Sequence, residues 1–272
     1  MPSTPVVIRS RDNATVKLLT GLVHSSRERK KTGLTVLDGA HLVDAFLRTG
    51  QRPHLVIVAE SAAESPDARQ IQEHLSRSQL AVTLAADVLV TEASQLESPA
   101  RVMAIVATPT ASPIPVDAPA VLVLDGVQDP GNVGAMLRCA AAFGVPHVLL
   151  GAGTAFAWSP KVLRAAQGAH FVLNIVEGAS VLDFVSAYQG QTLALVPNAD
   201  AAQPLANVDL CKMSAILVGN EGAGLSPEVL AAASTRVTIP MRGTVESLNA
   251  ASCGAIAMYE LCRQRDTANP RR

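Results

Sequence analysis

Residue types able to do chemistry collect at three glycine- and asparagine-rich stretches of this 272-residue chain. The first, LDGVQDPGNVGAMLRCAAAFGV from Leu124 to Val145, holds Asn132 and a lone strong cation, Arg138, among small apolar residues. The second, AILVGNEGAGLS from Ala215 to Ser226, carries Gly219, Gly222 and Gly224 around Asn220 and Glu221. The third, IPMRGTVESLNAASCGAIAMYE from Ile239 to Glu260, places Ser247, Leu248 and Asn249 where a polar loop becomes a helix. Each stretch begins at the end of an apolar strand. Such ends expose free backbone N–H groups and short polar side chains, which suit a small polar ligand. Open α/β sheets bind ligands along this edge, and the three strands are expected to be neighbours in one parallel sheet.

The residues exclude several common chemistries. A phosphate-binding P-loop needs Lys and then Ser or Thr after its last glycine, but Leu225 follows Gly224. A dinucleotide fingerprint needs a third glycine, but Gly222-x-Gly224 reaches Pro227 and Gly151-x-Gly153 reaches Phe156. Cys139, Cys211, Cys253 and Cys262 form no C-x-x-C pair and the histidines are scattered, so no metal site is expected. Isolated cysteines of this kind read as reduced thiols of a cytoplasmic protein.

The elements that must position these residues follow from apolar periodicity. Asn13 to His24 carries Val16, Leu19, Leu22 and Val23 at helical spacing, with Asn13 as N-cap. Strands are expected at Leu34–Asp38, His54–Ala59, Ala81–Leu84 and Val102–Ala107, and helices at Ala40–Thr49 and Pro66–Ser76. This alternation indicates a small α/β domain over residues 1-107, starting with a loose arm over residues 1–11. Residues 108-119 contain Pro109, Pro113, Pro115 and Pro119 and read as a semi-rigid, extended linker. Over residues 120-272 the strands AVLVLD, HVLLG, FVLNIVE, TLALVP, AILVG and TRVTIP are nearly continuous in apolar residues. Burial on both faces is implied, hence a parallel sheet flanked by helices, among them Val133–Phe143 and Pro160–Ala166.

Composition sets the outer limits. Hydrophobic residues at 49% against 17% charged describe a globular chain. The longest apolar runs are strand-length, so no membrane span or secretory leader is expected. A formal net charge of −1 argues against nucleic acid, but its distribution does not. Arg9, Arg11, Lys17, Arg27, Arg29, Lys30 and Lys31 are opposed only by Asp12 and Glu28 within their stretch, and Arg263, Arg265, Arg271 and Arg272 enrich the tail. A local basic patch of this kind suits an RNA backbone.

Taken in order, PGNVGAMLR, LVGNEGAGL and IPMRGTVESLNAASCGAI resemble the three motifs of the SpoU (TrmH-like) family of RNA ribose 2′-O-methyltransferases, in the SPOUT superfamily. The resemblance spans residues ~120–262, and three motifs in order are far more specific than any one. SRDNATVKLL and TVLDGAHLVDAFL also resemble the ribosomal-protein-like substrate-binding domain that many members carry. The resemblance implies a C-terminal trefoil knot, although knots are very rare. It also implies a bent S-adenosyl-L-methionine in the knot's loops, and a homodimer whose pocket is completed across the interface. Gly219, Ile239 and Leu248 match positions that hold the cofactor's adenosine part, and Asn132, Arg138, Glu221, Ser247 and Asn249 match the polar active-site positions. One departure is the small run Ala250, Ala251, Ser252 and Cys253, where members often have aliphatic residues.

The expected reaction is in-line attack of a ribose 2′-hydroxyl on a sulfonium methyl, which needs positioning of a weak nucleophile. Arg138 matches the family's activator of that hydroxyl; a guanidinium is essentially always protonated, which favours gripping phosphate and orienting the ribose over removing a proton. Ribosomal RNA is favoured over transfer RNA because a separate N-terminal domain suits a large RNA surface. The competing readings are a transfer RNA methyltransferase, a non-catalytic RNA-binding or ribosome-assembly factor on the same fold, and a nucleotide-dependent oxidoreductase. Intact Asn132, Arg138, Glu221 and Ser247-Leu248-Asn249 argue against the second, and the missing fingerprints against the third.

Overall fold

The computed structural model describes residues 7–76, 80–94, 101–197, 202–245 and 247–269. Its contacts divide the chain into two compact units. The first comprises Met1–Thr110 with Trp158–Phe171, and the second Ala111–Ala157 with Val172–Arg272. The segment Trp158–Phe171 lies within 120-272 in sequence but packs with the first unit. Arg271, Arg272 and the first six residues of the expected arm lie outside the described residues.

In the first unit a mixed sheet runs in the order β1 (Val7–Ile8), β4 (Thr83–Ala85), β3 (Leu55–Ala59), β5 (Val102–Ala107), β2 (Leu34–Asp38). β5 pairs antiparallel with both of its neighbours, while β1, β4 and β3 are parallel. Helix α1 (Ala14–His24) begins where Asn13 accepts the backbone N–H of Thr15, as its spacing predicts. Helix α3 (Ala40–Arg48) ends before Gly50, whose φ of 76° only glycine adopts easily. Helix α4 (Pro66–Ser76) matches its predicted bounds.

Two helices were not anticipated: α2 (Ser26–Thr32), over the basic run, and α5 (Asp87–Ala93). Within the stretch expected to be a loose arm, Val7 and Ile8 form a strand paired with Leu84 and Ala85.

The inserted segment is anchored in this unit. Helix α7 (Pro160–Ala166) packs on β2, and the fully buried Thr35 hydroxyl donates to the Trp158 carbonyl at 2.6 Å. Trp158 meets the buried His170 edge-on at 4.9 Å, and Phe171 meets Phe46 at 5.4 Å. The expected FVLNIVE strand therefore starts only at Asn174: Phe171 ends a 3-10 turn, Ala169–Phe171, and Val172 and Leu173 turn the chain into the strand.

The second unit is built on a seven-stranded parallel sheet. Its order is β10 (Gln203–Pro204), β12 (Thr235–Thr238), β9 (Gln191–Leu195), β11 (Ser214–Gly219), β6 (Ala120–Asp125), β7 (His147–Gly151), β8 (Asn174–Ala179). Central β6 and β11 are buried nearly end to end, which is why they read as unbroken apolar runs. One face is covered by α8 (Val181–Ala187) and α9 (Pro227–Ala232), through Val181, Val185 and Val229. Helices α6 (Pro130–Ala142) and α10 (Ala250–Ala268) pack against each other, and α10 also packs on β11. Gly254 allows this approach: a Cβ there would lie 2.9 Å from the Met136 sulfur and 3.6 Å from Val218.

The proline-rich stretch 108-119 is not a free spacer along its whole length. Asn174 brackets Ser112, accepting its N–H and donating to its carbonyl. Gln189 N–H donates to the Val116 carbonyl, and the Tyr188 hydroxyl donates to the Ala118 carbonyl at 2.6 Å. Burial, partly offset by Arg265, pushes the Tyr188 phenol up to about 12, so it remains a donor. Arg265, expected in a basic tail, is turned inward instead and donates to the carbonyls of Pro119, Leu210 and Lys212.

Trp158 is the chain's single tryptophan, so its fluorescence reports on the inserted segment. Thr35→Val keeps shape but leaves the Trp158 carbonyl without its hydroxyl donor, at a cost of about 1–2 kcal/mol. The urea transition followed by tryptophan emission shifts to lower urea accordingly; an unshifted midpoint shows that this bond does not anchor the segment.

Candidate active site

All strands of the second sheet are parallel, so β6, β9, β11 and β12 deliver their C-terminal ends to one edge. β6 and β11 are the expected neighbours, with Gly219 opposite Asp125. β12 is not: β9 lies between it and β11. This correction adds a fourth strand end to the site. Leu195, Val196 and Pro197, which close β9, line the cleft found there. The sequence marked LVP as a strand end but gave it no polar residue to single it out.

The cleft has a volume of about 200 Å³. It gathers Gly219, Glu221, Ile239, Ser247 and Leu248 from the second and third motifs. Val218, Val237 and Met241 extend its apolar wall, and Cys253 contributes from the first turn of α10. Burial pushes the Cys253 thiol up, only partly opposed by its backbone hydrogen bond, so it is a neutral wall residue. Its mostly apolar lining with a few polar groups suits a small organic ligand.

The second motif is held by backbone closure. A Cβ on Gly219 would lie 2.2 Å from backbone atoms of Gly224 and Leu225, so glycine alone fits. Asn220 and Gly224 exchange two backbone hydrogen bonds of 2.9 Å. The Asn220 side chain, which the sequence reading left out of the site, fixes this turn from within. Its Oδ1 accepts from the N–H groups of Gly222 and Ala223, and its Nδ2 donates to the Gly126 carbonyl at the end of β6.

The turn presents Glu221 to the first motif. Its carboxylate accepts from the N–H groups of Gln128 and Asp129, each at 3.1 Å, and from Asn132 Nδ2 at 2.9 Å. Burial acts to raise its pKa, but the hydrogen bonds from Asn132, Gln128 and Asp129 outweigh it and hold the carboxyl below its ordinary range. Asn132 then reaches the third motif: its Oδ1 accepts from Asn249 Nδ2 at 2.9 Å. Asn249 Oδ1 accepts in turn from the N–H groups of Ala251 and Ser252, which caps α10. Asp129 caps α6 in the same way, accepting the Asn132 N–H at 2.7 Å. One hydrogen-bonded line therefore runs from Glu221 through Asn132 to Asn249 and ties all three motifs.

Arg138 stands apart. It is exposed on α6, more than a turn beyond Asn132, and is not part of the cleft wall. Among the described residues its side chain has no hydrogen-bond or ion-pair partner.

The N-terminal basic set divides. Arg9 pairs with Glu60 at 2.7 Å, Arg11 with Glu92, and Lys17 with Asp12 at 2.8 Å. Glu60 and Glu92 come from outside the basic stretch, so its local charge excess is smaller than the sequence indicates. Arg29 is a correction: it is 6% exposed and donates to the Leu22 and Val23 carbonyls at the end of α1. It serves the helix end, not a surface. Arg27, Lys30 and Lys31 are exposed on α2.

Comparison with known proteins agrees with this geometry. Residues 119–259 match the model of the SpoU rRNA Methylase family, and residues 13–104 match the MRM3-like substrate binding domain. The 23S rRNA (guanosine(2553)-2′-O)-methyltransferase RlmP of Bacillus subtilis is 32% identical over 88% of this chain and 92% of its own. The 23S rRNA (uridine(2479)-2′-O)-methyltransferase of Streptomyces viridochromogenes is 29% identical over 93% of this chain and 91% of its own. Among solved structures, the SpoU methyltransferase AviRb from Streptomyces viridochromogenes in complex with AdoMet superimposes with a TM-score of 0.79, at 28% identity over 93% of this chain and 98% of that one. The match of the family model to the whole motif-bearing part, on a sheet edge where its three motifs are joined, establishes that this chain belongs to the SpoU rRNA methylase family.

Proposed function

We propose that the protein is an S-adenosyl-L-methionine-dependent RNA ribose 2′-O-methyltransferase that acts on ribosomal RNA in the cytoplasm. The observation that carries this reading is the line Glu221–Asn132–Asn249, which joins the three motifs beside a cleft walled by the second and third. Two relatives named for 23S rRNA 2′-O-methylation and a cofactor-bound structural relative support it. The match of residues 13–104 to a substrate-binding domain supports a large RNA as substrate.

The cleft fits the cofactor by its chemistry. Leu195, Val218, Ile239 and Leu248 offer apolar walls for a purine, and Gly219 brings backbone close to it. When bound, S-adenosyl-L-methionine supplies an electrophilic sulfonium methyl group. The work of the chain's own residues is then orientation and exclusion of water. Glu221 uses three of its roughly four acceptor positions on Gln128, Asp129 and Asn132, and keeps capacity for a ribose hydroxyl. A carboxylate held this acidic is a weak base, so it orients the hydroxyl and does not deprotonate it. Ser247 faces the cleft and can hold the same sugar. Asn132 and Asn249 have their side-chain atoms engaged with each other, Glu221 and the α10 cap, so they brace the site.

Arg138 would grip the phosphate of the target nucleotide. Its absence from the cleft wall of its own chain favours delivery to the cleft of a second copy, in a homodimer. The neighbouring helix α10 exposes Ile256 and Tyr259 one turn apart, an apolar face suited to such a partner. The path of the chain also favours the family's trefoil knot: β12 lies beyond β9, yet the next segment returns to pack α10 on α6 and β11.

With 23S ribosomal RNA from cells lacking the protein, wild-type protein transfers labelled methyl groups to a ribose 2′-hydroxyl. Arg138→Ala lowers this turnover by about 100-fold or more while cofactor affinity is retained; wild-type turnover in that variant removes Arg138 from the mechanism. Gly219→Ala, by contrast, abolishes cofactor binding in calorimetry.

Glu221 is more acidic in the folded protein than its ordinary value of 4.5, so it stabilises the fold above that pH. The contribution fades as pH falls through the lowered value. The Tm difference between wild type and Glu221→Gln is therefore largest near neutrality and shrinks in acid below pH 4.5. A difference independent of pH shows that the charge is not what Gln128, Asp129 and Asn132 recognise.

A further inference from the structure

The loop from β12 to α10 contains a cation to which no role has been given. Arg242 follows Met241 and precedes Ser247, and both of those residues line the cleft. Arg242 itself is exposed, and among the described residues it has neither an ion pair nor a side-chain hydrogen bond. Several surface cations elsewhere are committed to carboxylates. Arg9, Arg11, Arg48, Arg69 and Arg263 are each paired with an acidic side chain. Arg242 is by contrast uncommitted, and it directly follows a residue of the cleft wall.

The site also needs a cation there. The anionic Glu221 lies in the cleft wall, so a phosphate approaching it meets a like charge unless a cation stands nearby. A ribose 2′-hydroxyl cannot approach the cleft without the phosphates on either side of its nucleotide. A long, exposed guanidinium between two wall residues is placed to meet one of them, and its planar fork suits phosphate oxygens. Arg138 lies on α6 and not on this loop, so the two cations are independent.

We propose that Arg242 is a substrate-positioning residue that binds a phosphate flanking the target ribose at the mouth of the cleft. This rests on the reading of the protein as an RNA 2′-O-methyltransferase. Arg242 contributes to RNA affinity and not to cofactor affinity or to the chemical step. Because the contact is ionic, it carries part of the salt dependence of RNA binding.

The test compares wild type, Arg242→Ala and Arg242→Lys with 23S ribosomal RNA from cells lacking the protein. Expected for Arg242→Ala is a KM for RNA raised roughly tenfold, with kcat and the Kd for S-adenosyl-L-methionine essentially unchanged. Its log–log slope of RNA affinity against salt is shallower by about one. Arg242→Lys recovers much of the RNA affinity, because the charge remains. An unchanged KM and salt slope in Arg242→Ala, beside an active wild type, overturn the assignment of Arg242 alone. Weakened cofactor binding in that variant also overturns it, since it would mark Arg242 as a support of the loop. A wild type that binds cofactor but methylates none of this RNA overturns both the assignment and the function on which it rests.

Discussion

The site depends on one side-chain line, in which Asn132 donates to Glu221 and accepts from Asn249. The three come from different segments: Asn132 from the first turn of α6, Glu221 from the turn after β11 and Asn249 from the N-cap of α10. Asn is suited to the central position because its amide donates with one atom and accepts with the other. Each end of the line is also bound to backbone. Glu221 gathers the N–H groups of Gln128 and Asp129, and Asn249 caps α10. The same few polar groups thus set the start of two helices and the shape of the cleft.

The sheet makes that line possible. Parallel strands put every C-terminal end on one edge, and glycines allow the backbone to close tightly there. Gly219 lets the β11 turn fold against itself, and Gly254 lets α10 come down on Met136 and Val218. β9 enters between β11 and β12 and supplies the cleft with an apolar wall. The chemistry proposed for the cleft needs this combination: an apolar side for a purine and a fixed polar edge for a ribose.

Much of this architecture was legible in the residues. Strands such as Leu34–Asp38 and Val102–Ala107, and the cap at Asn13, are set by local pattern and appear where the pattern puts them. The parallel sheet followed from strands apolar on both faces. What was not legible depends on contacts distant in sequence. The interposition of β9 leaves no local mark, and neither does the docking of Trp158–Phe171 with the first unit. Arg29 looks like its basic neighbours until α1 is seen to end beneath it, and Glu60 and Glu92 are remote from the arginines they neutralise. Asn220 was visible at the right place, but its use as an internal clamp on Gly126 could be read only from the folded turn.

The central claim is that Glu221 and Asn249 act on the cleft as one unit through Asn132. A double-mutant cycle tests it most directly, with Glu221→Ala, Asn249→Ser and their combination read out as affinity for S-adenosyl-L-methionine. Serine retains the ability to cap α10 but cannot donate to Asn132 as the amide does. The account predicts that the two effects are coupled by about 1 kcal/mol or more, although the two side chains are joined only through a third. Additivity within roughly 0.3 kcal/mol would contradict it and leave the three motifs as independent walls.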